Sequence, residues 1–212
     1  MLATHRGFDP GALATARLLA RALAAPLVVS TVSRLLVDLN RSIGHAALFS
    51  DATRGAPTEV RASIVERHYR PYRDEVERLA RQLISRRRRV IHVSSHTFTP
   101  VLDGEVRRAD VGLLYHPGRR AEAELCERWK ASLASLAPWL RVRRNYPYAG
   151  KDDGLTSYLR KSLAQAAYVG IELEVNQAIV FAAGPRLGAV RRALVESLRE
   201  ASRRAGAKGG NA

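Results

Sequence analysis

The sequence predicts an α/β protein, a single three-layer domain with a mixed, mostly parallel sheet. Stretches with helical spacing of apolar residues alternate along the chain with short β-branched stretches, which is the order found in βαβ units. The chain has 212 residues, 46% of them hydrophobic, and a domain of this size buries roughly 70% of the surface that its unfolded chain exposes. We therefore expect one domain over residues 1–204 and a disordered Gly/Ala/Lys tail over 205–212.

Apolar spacing and helix-breaking residues define the predicted elements of the N-terminal half. Leucines recur among alanines between Pro10 and Pro26, which can open and close a helix. Unbroken β-branched runs then indicate buried strands, and a stretch rich in turn formers indicates a loop. A long helical pattern follows, and Pro71 is expected to kink or divide it because proline lacks a backbone N–H. In order, the predicted elements are a helix (10–24), two strands (27–32 and 35–39), a loop (41–57) and a helix (58–86).

The C-terminal half continues the alternation. Its first strand is expected to end where His96 begins a polar turn that Pro100 terminates, and one of its helices is expected to start after Gly154. Amphipathic spacing marks the other helices. The predicted strands are 90–95, 110–115, 140–143 and 168–175, and the predicted helices are 119–136, 154–166 and 186–204.

Composition excludes several classes of protein. The single Cys126 cannot form a disulfide framework, and no CxxC pair is present to bind zinc. Arg17, Arg21 and Arg34 interrupt the most hydrophobic stretch, so no run reaches the roughly 18 apolar residues of a membrane span. The N-terminus lacks the pattern of a signal peptide, which predicts a cytoplasmic protein with no membrane partner.

The net charge of +15 is compatible with nucleic-acid binding but does not establish it. The run Arg86–Arg89 can contact phosphates. It also lies between a predicted helix and a strand, where arginines complement the dipole of a solvated helix end.

Polar residues at the ends of predicted strands are the first candidates for a site, because ligands of open α/β sheets bind outside the carboxyl ends of the strands. Strand alternation places Glu172, Glu174 and Asn176 on one face. Two acids on one strand face are costly to bury unless a cation or a hydrogen-bond donor meets them. The three groups of such residues are 38–41, 95–97 and 172–177.

His96 has three open interpretations: a metal ligand through a neutral imidazole, a base, or a residue that caps a turn. His92 has the same strand phase, so the two could form a metal pair. A bend after Ser94 would separate them, and we expect His92 to pack in the core.

Six sequence segments resemble the motifs of the N-formylglutamate amidohydrolase family, in the family's order and from about residue 4 to 200. The resemblance implies a zinc hydrolase with a fold like that of the zinc carboxypeptidases. It further implies a small-molecule substrate with a carboxylate, N-formylglutamate or a similar N-acyl acidic amino acid, cleaved at a linear amide to formate and the amino acid. The segments are HRGFDPG (5–11), VSRLLVDLNRS (32–42), VSSHTFTPVLDG (93–104), VGLLYHP (111–117), NYPYAGKDDGLTSYLR (145–160) and GIELEVNQ (170–177).

The resemblance also implies roles for individual residues. His96 corresponds to a zinc ligand, and Glu174 corresponds to the general base that activates a zinc-bound water. Asn40 and Arg41 resemble the pair that grips a substrate carboxylate, because a planar guanidinium binds a carboxylate bidentately. Arg41 could instead make a structural ion pair with an acid such as Asp38 or Glu174. Further cationic contacts to the substrate are expected from Arg34 and Arg160.

The sequence departs from the family pattern at its start. Family members begin with a strand and a motif that supplies another zinc ligand, whereas this sequence begins where that segment would have ended. We expect either a start codon assigned too late or a shortened relative in which His5 or Asp9 serves as a ligand or supports one. The remaining supporting residues are expected to be Asp38, Glu172 and Asn176.

Three functions follow as alternatives. The first is a zinc-dependent amidohydrolase acting on N-formylglutamate or a similar substrate. The second is a catalytically inactive, N-terminally shortened homologue that acts as a binding protein. The third, a basic nucleic-acid-binding module, is disfavoured by the acidic strand face at Glu172 and Glu174. The sequence leaves the oligomeric state open.

Overall fold

The structure is a computed structural model that describes residues 7–86 and 89–206. Helices and strands alternate along it, which confirms the predicted α/β class. The helices are α1 (Ala12–Leu23), α2 (Thr58–Ile64), α3 (Arg70–Ser85), α4 (Arg120–Leu136), α5 (Leu155–Ser162), α6 (Gln177–Ala182) and α7 (Gly184–Gly206). The strands are β1 (Val90–Phe98), β2 (Val101–Leu102), β3 (Glu105–Val106), β4 (Val111–Leu114), β5 (Val142–Arg144) and β6 (Tyr168–Asn176).

A four-stranded sheet has the order β1-β6-β4-β5, and it is mixed, as the sequence predicted. β4 runs parallel to β5, with Val111 opposite Val142. β4 runs antiparallel to β6, with Gly112 opposite Glu174. Every residue of β6 is buried, because this strand has a neighbour on each side in the sheet. β2 and β3 form a separate antiparallel pair that the sequence did not predict.

The two predicted strands at 27–32 and 35–39 are wrong, because this segment forms turns and irregular chain. The Ser33 hydroxyl donates to the Gly7 carbonyl at 2.8 Å and accepts from the Leu35 N–H at 3.2 Å. Such local side-chain bonds compete with a strand ladder for backbone groups. The apolar residues of the segment pack into an irregular cluster that includes Val32, Leu36, Val37, Leu39, Leu48 and Tyr69.

The long predicted helix at 58–86 is present and changes type before Pro71, as expected. A π-helical turn, Val65–Tyr69, separates α2 from α3. A proline ring at position 71 would collide with the carbonyl of Arg67 in a regular helix, and its nitrogen has no hydrogen to donate. The wider π turn is where the chain adapts to both constraints.

The predicted strand at 90–95 continues to Phe98, so His96 lies inside β1 and the expected turn at this residue is wrong. The polar side chains here find partners beside the strand. The Ser95 hydroxyl donates to the Ala12 carbonyl at 3.1 Å, and His96 contacts Asp9. Because these side chains are satisfied laterally, the backbone can stay in the ladder.

The remaining boundaries differ by a few residues. α5 ends at Ser162, earlier than the predicted residue 166, and α6 was not predicted. A six-residue helix is too short to show a helical period in sequence. α7 extends into the predicted tail at 205–206, and 207–212 lie outside the described residues.

Contacts divide the described residues into two compact units. The first holds the described parts of Met1–Phe8, Val28–His92 and Asp152–Gly170, and the second those of Asp9–Leu27, Val93–Lys151 and Ile171–Ala212. The single domain expected over 1–204 therefore stays a prediction. In the first unit, α3 and α5 share an apolar core with the start of β6. Its buried members are Val76, Ala80, Leu155, Leu159, Leu163 and Tyr168.

The second unit is organised by the packing of α4 against α7. Trp129 and Ser197 are fully buried at this contact, and the indole N–H donates to the serine hydroxyl at 2.9 Å. Arg128 donates to the Ala201 carbonyl at 3.1 Å along the same pair of helices. Polar bonds at defined positions thus fix the register of the two helices.

α7 has 23 residues, enough to span a bilayer by length, but arginines recur along it. Across residues 7–86 and 89–206, no helix combines the length and the apolar character that a membrane crossing requires.

We predict that Ser197→Ala lowers the free energy of unfolding by about 1–3 kcal/mol, because the buried Trp129 N–H would lose its acceptor. Ser202→Ala is the matched control. The Ser202 hydroxyl also donates to a carbonyl three residues earlier on α7, but it accepts no hydrogen bond from an indole. Urea unfolding of both variants measures the difference. Equal losses in the two variants would show that the indole bond contributes nothing.

Candidate active site

His96 lies at the centre of a polar cluster in the second unit. Its Nδ1 is 2.7 Å from Oδ2 of Asp9, and its Nε2 is 3.0 Å from the Ser94 hydroxyl. Ser94 and His96 are two residues apart on β1, so strand alternation turns both side chains to one face. The sequence identified Asp9 and His96 as site candidates, and the structure brings them together.

The chain turn that delivers Asp9 depends on Gly11. This glycine has a φ of +79°, a backbone conformation that costs little only for glycine. A Cβ at Gly11 would lie 2.6 Å from Cγ1 of Val180 on α6. The turn is closed by the Ala12 N–H, which donates to the Asp9 carbonyl at 3.2 Å. Asp9 thus reaches His96 from a tight turn that leads directly into α1.

The imidazole of His96 is held in its protonated form. Burial alone would lower its pKa, but the hydrogen bond and charge of Asp9 outweigh that effect, and the charges of Glu174 and Glu172 add to it. The net effect is to raise the pKa of His96 from 6.5 to about 9. At neutral pH this direction of shift favours the charged imidazole.

The order carboxylate, imidazole, hydroxyl across Asp9, His96 and Ser94 resembles that of an activated serine nucleophile. The raised pKa argues against this role, because an imidazole that already holds its proton cannot accept one from Ser94. His96 is therefore better suited to donate hydrogen bonds or, after losing its proton, to bind a cation. The sequence did not identify Ser94 as a site residue.

The acidic face predicted for β6 is present and buried. Glu172 is 9% exposed and Glu174 is 5% exposed, and both act electrostatically on His96. His96 is thus one group that can supply positive charge to these two buried acids.

Gly112, which the sequence did not single out, creates the space beside Glu174. A Cβ at Gly112 would lie 2.1 Å from the Tyr146 carbonyl oxygen and 3.2 Å from Cβ of Glu174. The loop that carries Tyr146 is anchored by Asn145, whose side-chain oxygen accepts from the Tyr115 and Gly150 N–H groups at 3.0 and 3.1 Å. Only a glycine at position 112 allows this loop to lie against the strand.

Asn176, the third polar residue of the β6 face, has its hydrogen-bonding groups engaged by the backbone. Its side-chain nitrogen donates to the carbonyls of Arg107 and Ala109 at 3.1 and 2.8 Å. Its side-chain oxygen accepts from the Ala178 N–H at 2.9 Å and caps α6. These bonds indicate that Asn176 supports the site by fixing the end of β6.

The described residues fit part of a metal site. A metal-binding histidine usually gives its other ring N–H to a carboxylate, and Asp9 provides that arrangement for His96. A catalytic zinc takes three protein ligands. Among residues 7–86 and 89–206, no three His, Cys, Asp or Glu side chains form a group that could hold a metal ion. His5 lies outside the described residues, so its assignment stays a prediction.

Asn40 and Arg41 lie in a turn of the first unit. The Asn40 side-chain oxygen accepts from the Leu155 N–H at the start of α5, at 2.8 Å. Arg41 Nη1 donates to the Asp153 carbonyl at 2.8 Å. Arg41 therefore bonds a backbone carbonyl. This contact is not the ion pair with Asp38 that the sequence left open as an alternative.

The other predicted polar residues of the first unit each make at least one hydrogen bond to a backbone group. The Asp38 carboxylate accepts from the Asn40 N–H at 2.9 Å, which shapes the turn. Arg160 is buried and donates to the Gly170 carbonyl at 2.9 Å. The backbone N–H of Arg34 donates to the Gly7 carbonyl at 3.1 Å. Their roles toward a substrate stay predictions.

The sheet thus buries two glutamates within the electrostatic reach of His96. The family model for N-formylglutamate amidohydrolase matches residues 1–181. The chain belongs to this family, and its class of reaction is therefore the hydrolysis of an amide.

Two crystal structures resemble this chain. A gene product of Agrobacterium tumefaciens is 28% identical, with a TM-score of 0.83 over 97% of this chain and 81% of that one. An N-formylglutamate amidohydrolase from Ralstonia eutropha is 18% identical, with a TM-score of 0.73 over 92% of this chain and 83% of that one. A comparison with curated proteins gave no significant match. The fold of the family is thus shared nearly end to end.

We predict that the contact between His96 and Asp9 makes stability depend on pH. The pKa of His96 is raised from 6.5 to about 9 in the folded protein. The stabilisation that protonated His96 contributes is fully present below its pKa in the unfolded chain. It is lost as the pH rises through its pKa in the folded protein. For metal-free protein with a chelator, the free energy of unfolding should fall by up to roughly 3 kcal/mol across this window.

Asp9→Asn should flatten that pH dependence, because the amide carries no charge to hold the proton on His96. His45→Gln, which changes an exposed histidine, is the control and should keep the parent profile. Urea unfolding from about pH 6 to about pH 10 measures all three proteins. An Asp9→Asn profile as steep as that of the parent would contradict the prediction.

Proposed function

We propose that this protein hydrolyses the amide of N-formyl-L-glutamate, or of a similar N-acyl acidic amino acid, to formate and the free amino acid. The observation that carries the proposal is Glu174, which is buried on β6 within the electrostatic reach of His96, in a chain of this family. Amide hydrolysis needs a group that takes a proton from the attacking water and returns one to the leaving nitrogen. A buried carboxylate meets that need.

Glu174 is the proposed general base. It lies on β6, which is buried throughout, so its carboxylate is held on a rigid element and shielded from bulk water. The imidazolium of His96 lies within its electrostatic reach and offsets the cost of burying the negative charge. Once Glu174 has accepted the proton of water, it can deliver that proton to the departing amine.

Zinc dependence is part of the proposal and rests on family resemblance together with the fit of His96. His96 would hold the ion through Nε2 after losing its proton, while Asp9 keeps the Nδ1–H in place. When bound, zinc supplies Lewis acidity: it lowers the pKa of a water toward about 7 and polarises a carbonyl. Ser94 contacts Nε2 and would have to release it.

The acidic part of the substrate is proposed to bind the Asn40 and Arg41 turn, with Arg34 and Arg160 as further cationic contacts. Arg41 uses Nη1 toward the Asp153 carbonyl. A guanidinium has five N–H donors in a planar fork, so this bond leaves donors to form the two parallel bonds that a carboxylate accepts. This turn would give the enzyme its preference for acidic substrates.

A second function is supported by one specific observation. In the described residues, His96 is engaged by Asp9 and Ser94 and no three-ligand metal group is formed. A homologue that binds the acidic amino acid without hydrolysing it would show these features. Formate release from N-formylglutamate, measured with and without added zinc, separates the two: binding without formate under both conditions supports the binding protein.

Glu174→Gln is predicted to lower turnover on N-formylglutamate by about two to four orders of magnitude, because the amide cannot accept a proton. The KM should change little, since the two side chains have nearly the same shape. Glu172→Gln is the matched control on the same strand face and should lose far less. Parent-like turnover in Glu174→Gln would remove this residue from the mechanism.

His96→Ala is predicted to abolish stoichiometric zinc binding, because it removes the nitrogen ligand. His45→Ala changes an exposed histidine instead and should retain the metal. Asp9→Asn should weaken zinc binding about 10–100-fold, as loss of a carboxylate behind a metal-bound histidine does. Metal analysis of dialysed protein gives the stoichiometry. Full zinc content in His96→Ala would rule this ligand out.

A further inference from the structure

Arg73 is a buried arginine in the first unit whose contacts surround the Asn40 and Arg41 turn. It lies on α3 and is 3% exposed. Its Nη1 donates to the Leu39 carbonyl at 3.1 Å and to the Arg41 carbonyl at 3.3 Å. One guanidinium nitrogen therefore bridges two carbonyls, one on each side of Asn40.

Two tyrosine rings hold the guanidinium in place. The centre of the Arg73 guanidinium is 5.0 Å from the ring centroid of Tyr69 and 4.7 Å from that of Tyr158. These are cation–π distances, and the contact is strongest when the charge is shielded from water. The Tyr158 hydroxyl is itself fixed by Glu77 at 2.7 Å. The position of the guanidinium is thus set by the π turn, which carries Tyr69, and by α5, which carries Tyr158.

Tyr69 contacts the same turn a second time. Its hydroxyl donates to the Arg41 carbonyl at 2.8 Å, so this carbonyl accepts from both Tyr69 and Arg73. Fixing a carbonyl fixes the plane of its peptide bond. The peptide bond before Asn40 and the peptide bond after Arg41 are both held in this way. The directions of the Asn40 and Arg41 side chains are therefore restricted.

The choice of an arginine here is costly for stability alone. Within the described residues Arg73 makes no ion pair with a carboxylate, and its buried Nη2 makes no hydrogen bond. Burying such a charge is unfavourable, whereas an apolar side chain of similar volume would fill the same space without that cost. A role that needs a rigid donor at a defined position explains the residue better than core packing does.

We propose that Arg73 is a positioning residue for substrate recognition: by bridging the carbonyls of Leu39 and Arg41, it aims the Asn40 and Arg41 side chains at the carboxylate of the substrate. This inference rests on the proposed function, because it assigns specificity to the same turn. Arg73 itself does not touch the substrate.

The test compares Arg73→Lys with the parent. Lysine keeps the charge but lacks the planar fork and its stacking on two rings. We expect the KM for N-formylglutamate to rise about 10- to 100-fold while kcat stays within about threefold, because binding is lost and the proton-transfer group is intact. The preference for N-formylglutamate over N-formylglutamine should fall with it, as it should in Arg41→Lys.

Two further variants keep the inference testable. Tyr69→Phe retains the ring over Arg73 but removes one donor to the Arg41 carbonyl, so it should raise the KM in the same direction by a smaller factor, even if Arg73→Lys does not fold. Arg78→Lys is the control, because Arg78 is an exposed arginine of α3 paired with Glu75 and should leave both constants unchanged.

The outcomes distinguish failure of the proposed role of Arg73 from failure of the proposed function. A parent protein that neither hydrolyses nor binds N-formylglutamate overturns the proposed function and the inference together. An active parent with an unchanged KM and unchanged substrate preference in both Arg73→Lys and Tyr69→Phe overturns the inference alone. A fall in kcat at constant KM would also overturn it, because positioning of a binding group should not slow proton transfer selectively.

Discussion

The buried contact between His96 and Asp9, next to Glu172 and Glu174, is the interaction on which the candidate site depends. Three carboxylates cannot be withdrawn from water together unless a positive charge joins them, because each isolated charge would carry a large desolvation cost. His96 supplies positive charge to this cluster, and its pKa of about 9 reflects the hydrogen bond and charge of Asp9 together with the charges of Glu174 and Glu172. For His96 to serve a metal, its Nε2 would have to lose its proton and its contact with Ser94, while the contact between Nδ1 and Asp9 would stay.

Close approaches of the backbone give this cluster its geometry. Gly11 allows a tight turn to bring Asp9 to β1, and Gly112 allows the loop of Tyr146 to lie against β4 beside Glu174. In both places a single methyl group would overlap an existing atom, so the glycine is required by its surroundings as much as by its own conformational freedom. The site is thus shaped by residues that contribute no functional group.

The two units show two ways of holding a charged side chain. In the second unit, a carboxylate meets His96 directly. In the first unit, Arg73 is held by carbonyl oxygens and aromatic faces, which direct a donor without neutralising it. The first arrangement tunes a protonation state, and the second fixes the geometry of a turn. An amidohydrolase needs both a controlled proton and an oriented substrate.

Much of this protein was determined by its sequence alone. Periodicity located most of the helices and the strands of the main sheet, and strand alternation placed Glu172 and Glu174 on one face, because these patterns depend only on neighbouring residues. The order of the motifs identified the family and drew attention to Asp9 and His96. The interruption of the long helix near Pro71 also followed from the local chemistry of proline.

Other features were decided only by tertiary contacts. The apolar segment at 27–39 has the composition of strands, yet Ser33 and the cluster around Val37 hold it as turns. The continuation of β1 through His96 depends on partners supplied by Asp9 and Ala12, more than 80 positions away. Gly112 and Arg73 gain their roles from Tyr146 and from the turn at Asn40. Sequence patterns report local preference, whereas burial, close approach and the partner of a charge are set by residues that only the folded chain brings together.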